Sequence, residues 1–248
     1  METSIQPEDL RSHIEQCREL IVAETSFAFQ TIVDARNREV IGFEALLRGN
    51  GRETASEVFS RIPADRRFDF DQALRIRAME AARHFGVEGH LHLNCSEVKM
   101  KNLDLIIATV LEMAENDGFK PSDIVLEFNH LAHLGGDDAL RAVRSRLNEH
   151  GIQCLADNYG AFDANLRPLV DFKPQYLKLA RQLTDQVHLN PDAQAIIRAT
   201  LCLCRDFGIQ AVASRIESVD EFDFLQEEGV DLFQGYFFAQ PGGEETDH

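Results

Sequence analysis

The feature that most constrains this chain is an alternation. Runs of roughly five to eight β-branched and aliphatic residues are separated by longer stretches with helical spacing. The pattern predicts strands over 27–33, 40–47, 90–94, 124–128, 152–157, 175–179, 210–214 and 232–236. Helices are predicted over 68–85, 103–117, 137–150, 193–206 and 220–228, with Gly86, Gly118, Pro121, Gly151, Gly208 and Gly229 at the joins. Only residues 34–39 separate the first two strands, so these read as an antiparallel hairpin. The remaining strand–helix repeats imply right-handed crossovers and parallel pairing. Eight strands within about 220 residues point to a (β/α)8 TIM-like barrel with an antiparallel first strand. An open doubly wound sheet is the alternative, lowered by the missing glycine fingerprint of a dinucleotide fold.

An amphipathic helix is expected ahead of the barrel over 7–24, where Leu10, Ile14, Cys17 and Ile21 share a face. The expected organisation is an N-terminal helix (1–25), a barrel (26–242) and a disordered polar tail (243–248).

Composition narrows the partners. Twenty-five Lys and Arg against 42 Asp and Glu leave a formal net charge of −17. That balance argues against nucleic-acid polymers and anionic membranes, which both reward clustered cations. No apolar run reaches the roughly 18 residues that span a bilayer. The acidic first residues carry no secretory pattern, and five irregularly spaced cysteines suit reduced thiols, so a cytoplasmic location is expected.

In such barrels chemistry gathers at the C-terminal strand ends. Here the strands end with or carry Glu44 and Arg48, then Asn94, Glu127, Asp157 with Asn158, Lys178, Ser214 and Gln234. Three carboxylates and one carboxamide on four strands form an oxygen-donor set suited to Mg²⁺, Mn²⁺ or Ca²⁺. A dication would relieve their mutual repulsion. Arg48 and Lys178 could then hold a phosphate.

Glu44-Ala45-Leu46-Leu47-Arg48 resembles the signature of the EAL domain family. Supporting segments follow in order: Phe29-Gln30-Thr31-Ile32-Val33, Leu93-Asn94-Cys95-Ser96, Val125-Leu126-Glu127-Phe128, Asp157-Asn158-Tyr159-Gly160 and Tyr176-Leu177-Lys178-Leu179. The last two are Ala213-Ser214-Arg215-Ile216-Glu217-Ser218 and Phe233-Gln234-Gly235-Tyr236-Phe237-Phe238. The resemblance covers nearly the whole chain after the first helix. It implies a barrel that binds or hydrolyses cyclic di-GMP with two Mg²⁺ or Mn²⁺ ions. It places Glu44, Asn94, Glu127 and Asp157 at first-metal positions, and Arg48 at a phosphate. Lys178 falls beside the attacking water, Gln234 at the late glutamine of the site, and Glu217 at a further catalytic position.

The departures gather on the other ion. The family's paired acids, Asp-Asp-Phe-Gly, become Asp157-Asn158-Tyr159-Gly160. The first Glu of Ala-Glu-Gly-Val-Glu-Thr becomes Ser214, the Asp two after the lysine becomes Ala180, and a loop-ordering Glu becomes His130. The expectation is a degenerate site with one ion and a lost second. It acts as a cyclic di-GMP sensor or a protein-binding regulator, leaning away from an enzyme. The alternative is an active phosphodiesterase yielding linear pGpG. A protein partner and a homodimer are also expected from the resemblance.

Smaller signals take structural readings. His90 and His92 share a strand face without a third ligand, and His130 and His133 follow a strand end. Cys202 and Cys204 do not share a helical face. The phenylalanines at 222, 224, 233, 237 and 238 read as core.

Overall fold

The computed structural model describes residues 5–20, 25–49, 53–129, 131–161 and 166–243. In chain order, α1 (Pro7–Leu20) precedes the hairpin β1 (Ser26–Asp34) and β2 (Glu39–Arg48). Then come α2 (Ala55–Ser60), α3 (Arg67–His84), β3 (His90–Cys95), α4 (Leu103–Asp117) and β4 (Ile124–Asn129). They are followed by α5 (Asp137–Glu149), β5 (Gln153–Tyr159), α6 (Leu166–Phe172), β6 (Tyr176–Leu179) and α7 (Arg181–Thr184). The chain closes with α8 (Pro191–Phe207), β7 (Gln210–Ala213), α9 (Val219–Glu227), β8 (Leu232–Phe233) and β9 (Gly242–Gly243).

β2 to β8 pair in sequence order, each neighbour parallel to the last. β1 is antiparallel to both β8 and β2 and closes the ring. The expected barrel with an antiparallel first strand is therefore the observed one. None of the helices described is long and apolar enough to cross a membrane.

Period-two alternation explains the interior. Ile32, Val125, Leu155, Tyr176, Val212 and Leu232 form one buried cluster inside the ring. Two residues further toward the mouth, on the same strands or just past their ends, stand Gln30, Glu127, Asp157, Lys178, Ser214 and Gln234. Each strand thus supplies an apolar plug and then a polar layer above it. The opposite strand faces and the helices bury the larger outer cluster, including Phe128, Phe172 and Phe233.

The first helix is described to Leu20, and 21–24 lie outside the described residues. It buries Leu10, Ile14 and Cys17 against α3 and α4. Two details differ from the expected elements. Gly243 is not tail: Gly242 and Gly243 pair with Phe29 and Ala28 on the hairpin's first strand. The strand expected over 232–236 stops at Phe233, because the chain turns where Gly235 meets the backbone of Ile216.

A Cβ on Gly235 would lie 2.2 Å from the Ile216 carbonyl oxygen and 2.3 Å from its nitrogen. Neither backbone atom can yield, since Ile216 N–H donates to Gln234 O and Phe237 N–H donates to Ile216 O. Gly235→Ala should therefore destabilise the fold by about 1–3 kcal/mol, the usual cost of overpacking, measured by urea unfolding. A neutral result would mean that the two segments are free to separate.

Candidate functional site

The polar layer is organised around one ammonium. Lys178 Nζ donates to Glu44 Oε2 at 2.9 Å and to Glu127 Oε1 and Oε2 at 2.9 and 2.7 Å. All three side chains are almost wholly buried. Asn94 Nδ2 donates to Glu44 Oε1 at 3.2 Å, and Gln234 Nε2 donates to Glu44 Oε2 at 2.7 Å and to Gln30 Oε1 at 3.1 Å. Gln234 Oε1 is buried without a partner among the described residues. Sequence reasoning missed His92, whose Nδ1 lies 2.8 Å from Glu127 Oε1. Its spacing, two before Asn94 on one strand, is a signal that would have placed it in the layer.

The charges follow from this packing. Burial, then the nearby ammonium of Lys178, holds the His92 pKa down at about 3, so the ring is neutral and shares one hydrogen bond with Glu127 through Nδ1. Burial opposes ionisation of Glu44, but Lys178 and the hydrogen bonds from Gln234, Lys178 and Asn94 bring it to about 2. Burial and then the Glu44 charge push Glu127 up to about 8. Burial lifts Asp157 to about 6, helped by Glu127 and Glu44 against Lys178. Burial works against charged Lys178, yet the fields of Glu127, Glu44 and Asp157 raise it above its ordinary value. Three carboxylates and one ammonium leave two negative charges in excess when all are ionised. The raised Glu127 and Asp157 carry that excess.

Other expected residues stand apart from this knot. Asp157 and Asn158 occupy a bulge, since Ala156 and Tyr159 pair with Leu177 and Leu179, giving one residue too many on β5. Asn158 has φ 59° and is exposed; its N–H donates to Asp157 Oδ1 at 2.7 Å. Ser214 is buried, and its Oγ donates to Leu179 O at 2.9 Å. Ala180 is buried and starts α7. Glu217 is half exposed, 4.0 Å from Arg181, and outside the Lys178 cluster. Arg48 lines the mouth and donates to its neighbour Leu47 O. His130 lies outside the described residues, as does the side chain of His133. His90 is bonded to Gln153 at the barrel's other end. Among the described residues no group of three or more His, Cys, Asp or Glu stands at metal-holding spacing; Glu44 and Glu127 are turned onto Lys178.

A cavity of about 1330 Å³ opens above the layer, bounded by Arg48, Asn94, Asp157, Lys178, Arg215 and Tyr236 among others. Its walls are fixed by buried acids. Asp71 and Arg75 form an ion pair on α3 that is 2–3% exposed. Asp71 accepts the N–H groups of Ser96 and Glu97, and Arg75 donates to Asn94 O at 3.2 Å. This pair pins the loop that follows β3 and thus Asn94 itself. On the other side Glu221 accepts N–H groups from Gln186, Glu217 and Ser218 at 2.9–3.1 Å.

A family model described as "EAL domain" matches residues 14–241. Among solved structures, a standalone versatile EAL protein from Vibrio cholerae O395, in its c-di-GMP-bound form, superposes with TM-score 0.82 at 32% identity. The match covers 90% of this chain and 94% of that one. Klebsiella pneumoniae BlrP1, in a calcium and cyclic di-GMP complex, gives 0.79 at 28% identity over 88% of this chain and 56% of that one. The blue light- and temperature-regulated antirepressor BluF of Escherichia coli is 26% identical over 223 residues, 86% of this chain. The chain spans about half of that protein's length, 53%.

Two stability predictions follow from the walls. Asp71→Ala leaves Arg75 buried without its counter-charge and should cost about 3–5 kcal/mol in urea unfolding; a loss under 1 kcal/mol would contradict the clamp. For Glu221, burial opposes the charge, but the backbone donors Glu217, Gln186 and Ser218 hold its pKa below the ordinary value. Its contribution is complete above the unfolded value of about 4.3 and is lost as pH falls toward the depressed folded value. Glu221→Gln should therefore be less stable at neutral pH and lose stability less steeply below about pH 4.3. Parallel acid limbs for the two proteins would refute this.

Proposed function

The chain belongs to the EAL domain family, and from that membership we propose that it binds cyclic di-GMP as a signalling barrel, with at most one dication and little or no hydrolysis. The carrying observation is the charge balance of the buried layer. Glu44, Glu127 and Asp157 against Lys178 leave an excess of two negative charges, which burial holds against Glu127 and Asp157. One dication matches that excess. Its donors would be Glu44, Asn94, Glu127 and Asp157, an all-oxygen set suited to Mg²⁺, Mn²⁺ or Ca²⁺.

A second ion does not fit the residues present. Asn158 and Ser214 bring no charge, and the Ser214 hydroxyl is committed to Leu179 O. Ala180 offers no donor. When bound, a dication supplies Lewis acidity and a lower pKa for bound water, and two ions supply it for both the attacking and leaving oxygens. The chain's own part is to orient the ligand. Arg48 provides a guanidinium at the mouth for a phosphate. Lys178 holds Glu44 and Glu127 in place, and Gln234 links Glu44 to Gln30. Glu217, a catalytic position by resemblance, lies at the half-exposed edge beside Arg181.

Ligand binding is supported by the c-di-GMP-bound form of the Vibrio cholerae protein, which matches nearly end to end. A protein-binding role is supported by the relative named as an antirepressor. An active phosphodiesterase yielding pGpG is the rival, favoured by the retention of Lys178 with all four donors.

One experiment separates these. The purified chain is incubated with cyclic di-GMP and excess Mn²⁺, following linear product beside calorimetric binding. Binding with less than one turnover per protein is the expected result. Multiple turnover would overturn the proposal, and neither binding nor turnover would leave the protein-interaction role. Asn158→Asp combined with Ser214→Glu should raise hydrolysis more than the sum of the two single changes, because both rebuild one ion site. Additive or null effects with binding intact would refute the missing-ion account.

A further inference from the structure

The wall between β7 and α9 carries a second cationic feature. Arg215 has φ 58°, the left-handed region that residues with a Cβ rarely enter. The surroundings force it there. Before it, Ser214 Oγ donates to Leu179 O and Ser214 O accepts from Thr184 Oγ1 at 3.0 Å. After it, Ile216 N–H donates to Gln234 O, and Glu217 and Ser218 N–H donate to Glu221. The residue is thus held rigidly in a conformation that glycine would adopt more cheaply. A non-glycine residue at such a position is a reason to look for a role.

Its charge is uncommitted. Three of the cavity's other cations are paired with acids: Lys178 with Glu44 and Glu127, Arg75 with Asp71, and Arg181 with Glu217 and Asp185. Arg67 donates to Ile62 O and Arg48 to Leu47 O. Arg215 is exposed, lines the cavity, and has no hydrogen bond or ion pair among the described residues. It follows Ser214 directly, two residues before Glu217, whose carboxylate lies near Arg181 instead. Around the rim it is separated from Arg48 by β8 and β1.

We propose that Arg215 is an anion-binding residue of this cavity, contacting a phosphate of a ligand that bears two phosphates, with Arg48 serving the other. A guanidinium presents fixed, charge-assisted donors to phosphate and needs no ion beside it. Arg215 thereby lets the ligand bind without a second dication. The assignment of the ligand as a cyclic dinucleotide rests on the proposed function; the assignment of the anion site does not.

The test titrates the full chain, Arg215→Gly and Arg215→Lys calorimetrically with cyclic di-GMP and, separately, with inorganic pyrophosphate. Each titration is run in EDTA and in Mn²⁺, alongside thermal melting. Arg215→Gly should weaken binding in EDTA about tenfold, equivalent to about 1.4 kcal/mol, with an unchanged or higher melting temperature. Arg215→Lys should recover most of the loss, and the wild-type affinity should fall more with salt than that of the glycine variant. Equal affinities of wild type and Arg215→Gly for both ligands would overturn the assignment, as would a lysine variant no better than glycine. Arg215-dependent pyrophosphate binding without cyclic di-GMP binding would overturn the ligand reading and keep the anion site. No binding of either ligand would overturn both.

Discussion

A single ammonium holds the working end of this barrel together. Lys178 is buried between Glu44 and Glu127, on strands β6, β2 and β4. An uncompensated charge at that depth is costly, and a pair of carboxylates without a cation would be worse. The three residues therefore constrain one another; Gln234, Asn94 and His92 are drawn in around the remaining oxygens, and Gln30 accepts from Gln234. The arrangement is not neutral. One lysine cannot balance two buried glutamates and Asp157, so the layer is left with an excess of negative charge when all are ionised, in a protein already at −17. The overall charge says little about the rim, where Arg48 and Arg215 offer the opposite sign.

The polar layer is possible because an apolar plug lies beneath it. Ile32, Val125, Leu155, Tyr176, Val212 and Leu232 fill the ring and exclude water from below. The low dielectric strengthens every contact above and also raises the cost of any missing partner. Ser214 lies within that buried layer, whereas Asn158 stands exposed at its edge. The low dielectric explains why Ser214, lacking an anionic role, is found bonded to a backbone carbonyl.

Much of this was legible in the residue pattern. The alternation of strands and helices, the short 34–39 connection and the strand-end acids all appear in the structure close to where the spacing places them. The rest depended on information that periodicity does not carry. The α2 helix has a readable capping box, Thr54 with Glu57, but is only six residues long. The four-residue α7 is shorter than a helical repeat can reveal. The bulge at Asp157 and Asn158 breaks the two-residue rule, so the facing of Asn158 could not be counted off along the strand. The Asp71–Arg75 clamp joins residues far from the loop it holds, and only the packing of α3 brings them there. Lys178 was recognised as a site residue, while its position between Glu44 and Glu127 depended on the closed ring. Glu217 lies beyond that knot because the chain bends at Arg215.

The reversed first strand has a mechanical consequence. In the hairpin register Ser26 lies opposite Arg48, so the chain arriving from α1 joins the barrel at its mouth. A parallel first strand would bring it in at the far end. Leu20, the last residue of α1, and Ser26 are separated by a short connection, while α1 itself rests on α3 and α4. The same α3 carries the Asp71–Arg75 clamp beneath Asn94. The first helix is thus tied to the rim twice, once along the chain to the strand that lies beside Arg48 and once through α3, the helix that steadies Asn94. The barrel's base, packed with aliphatic side chains, takes no part in either.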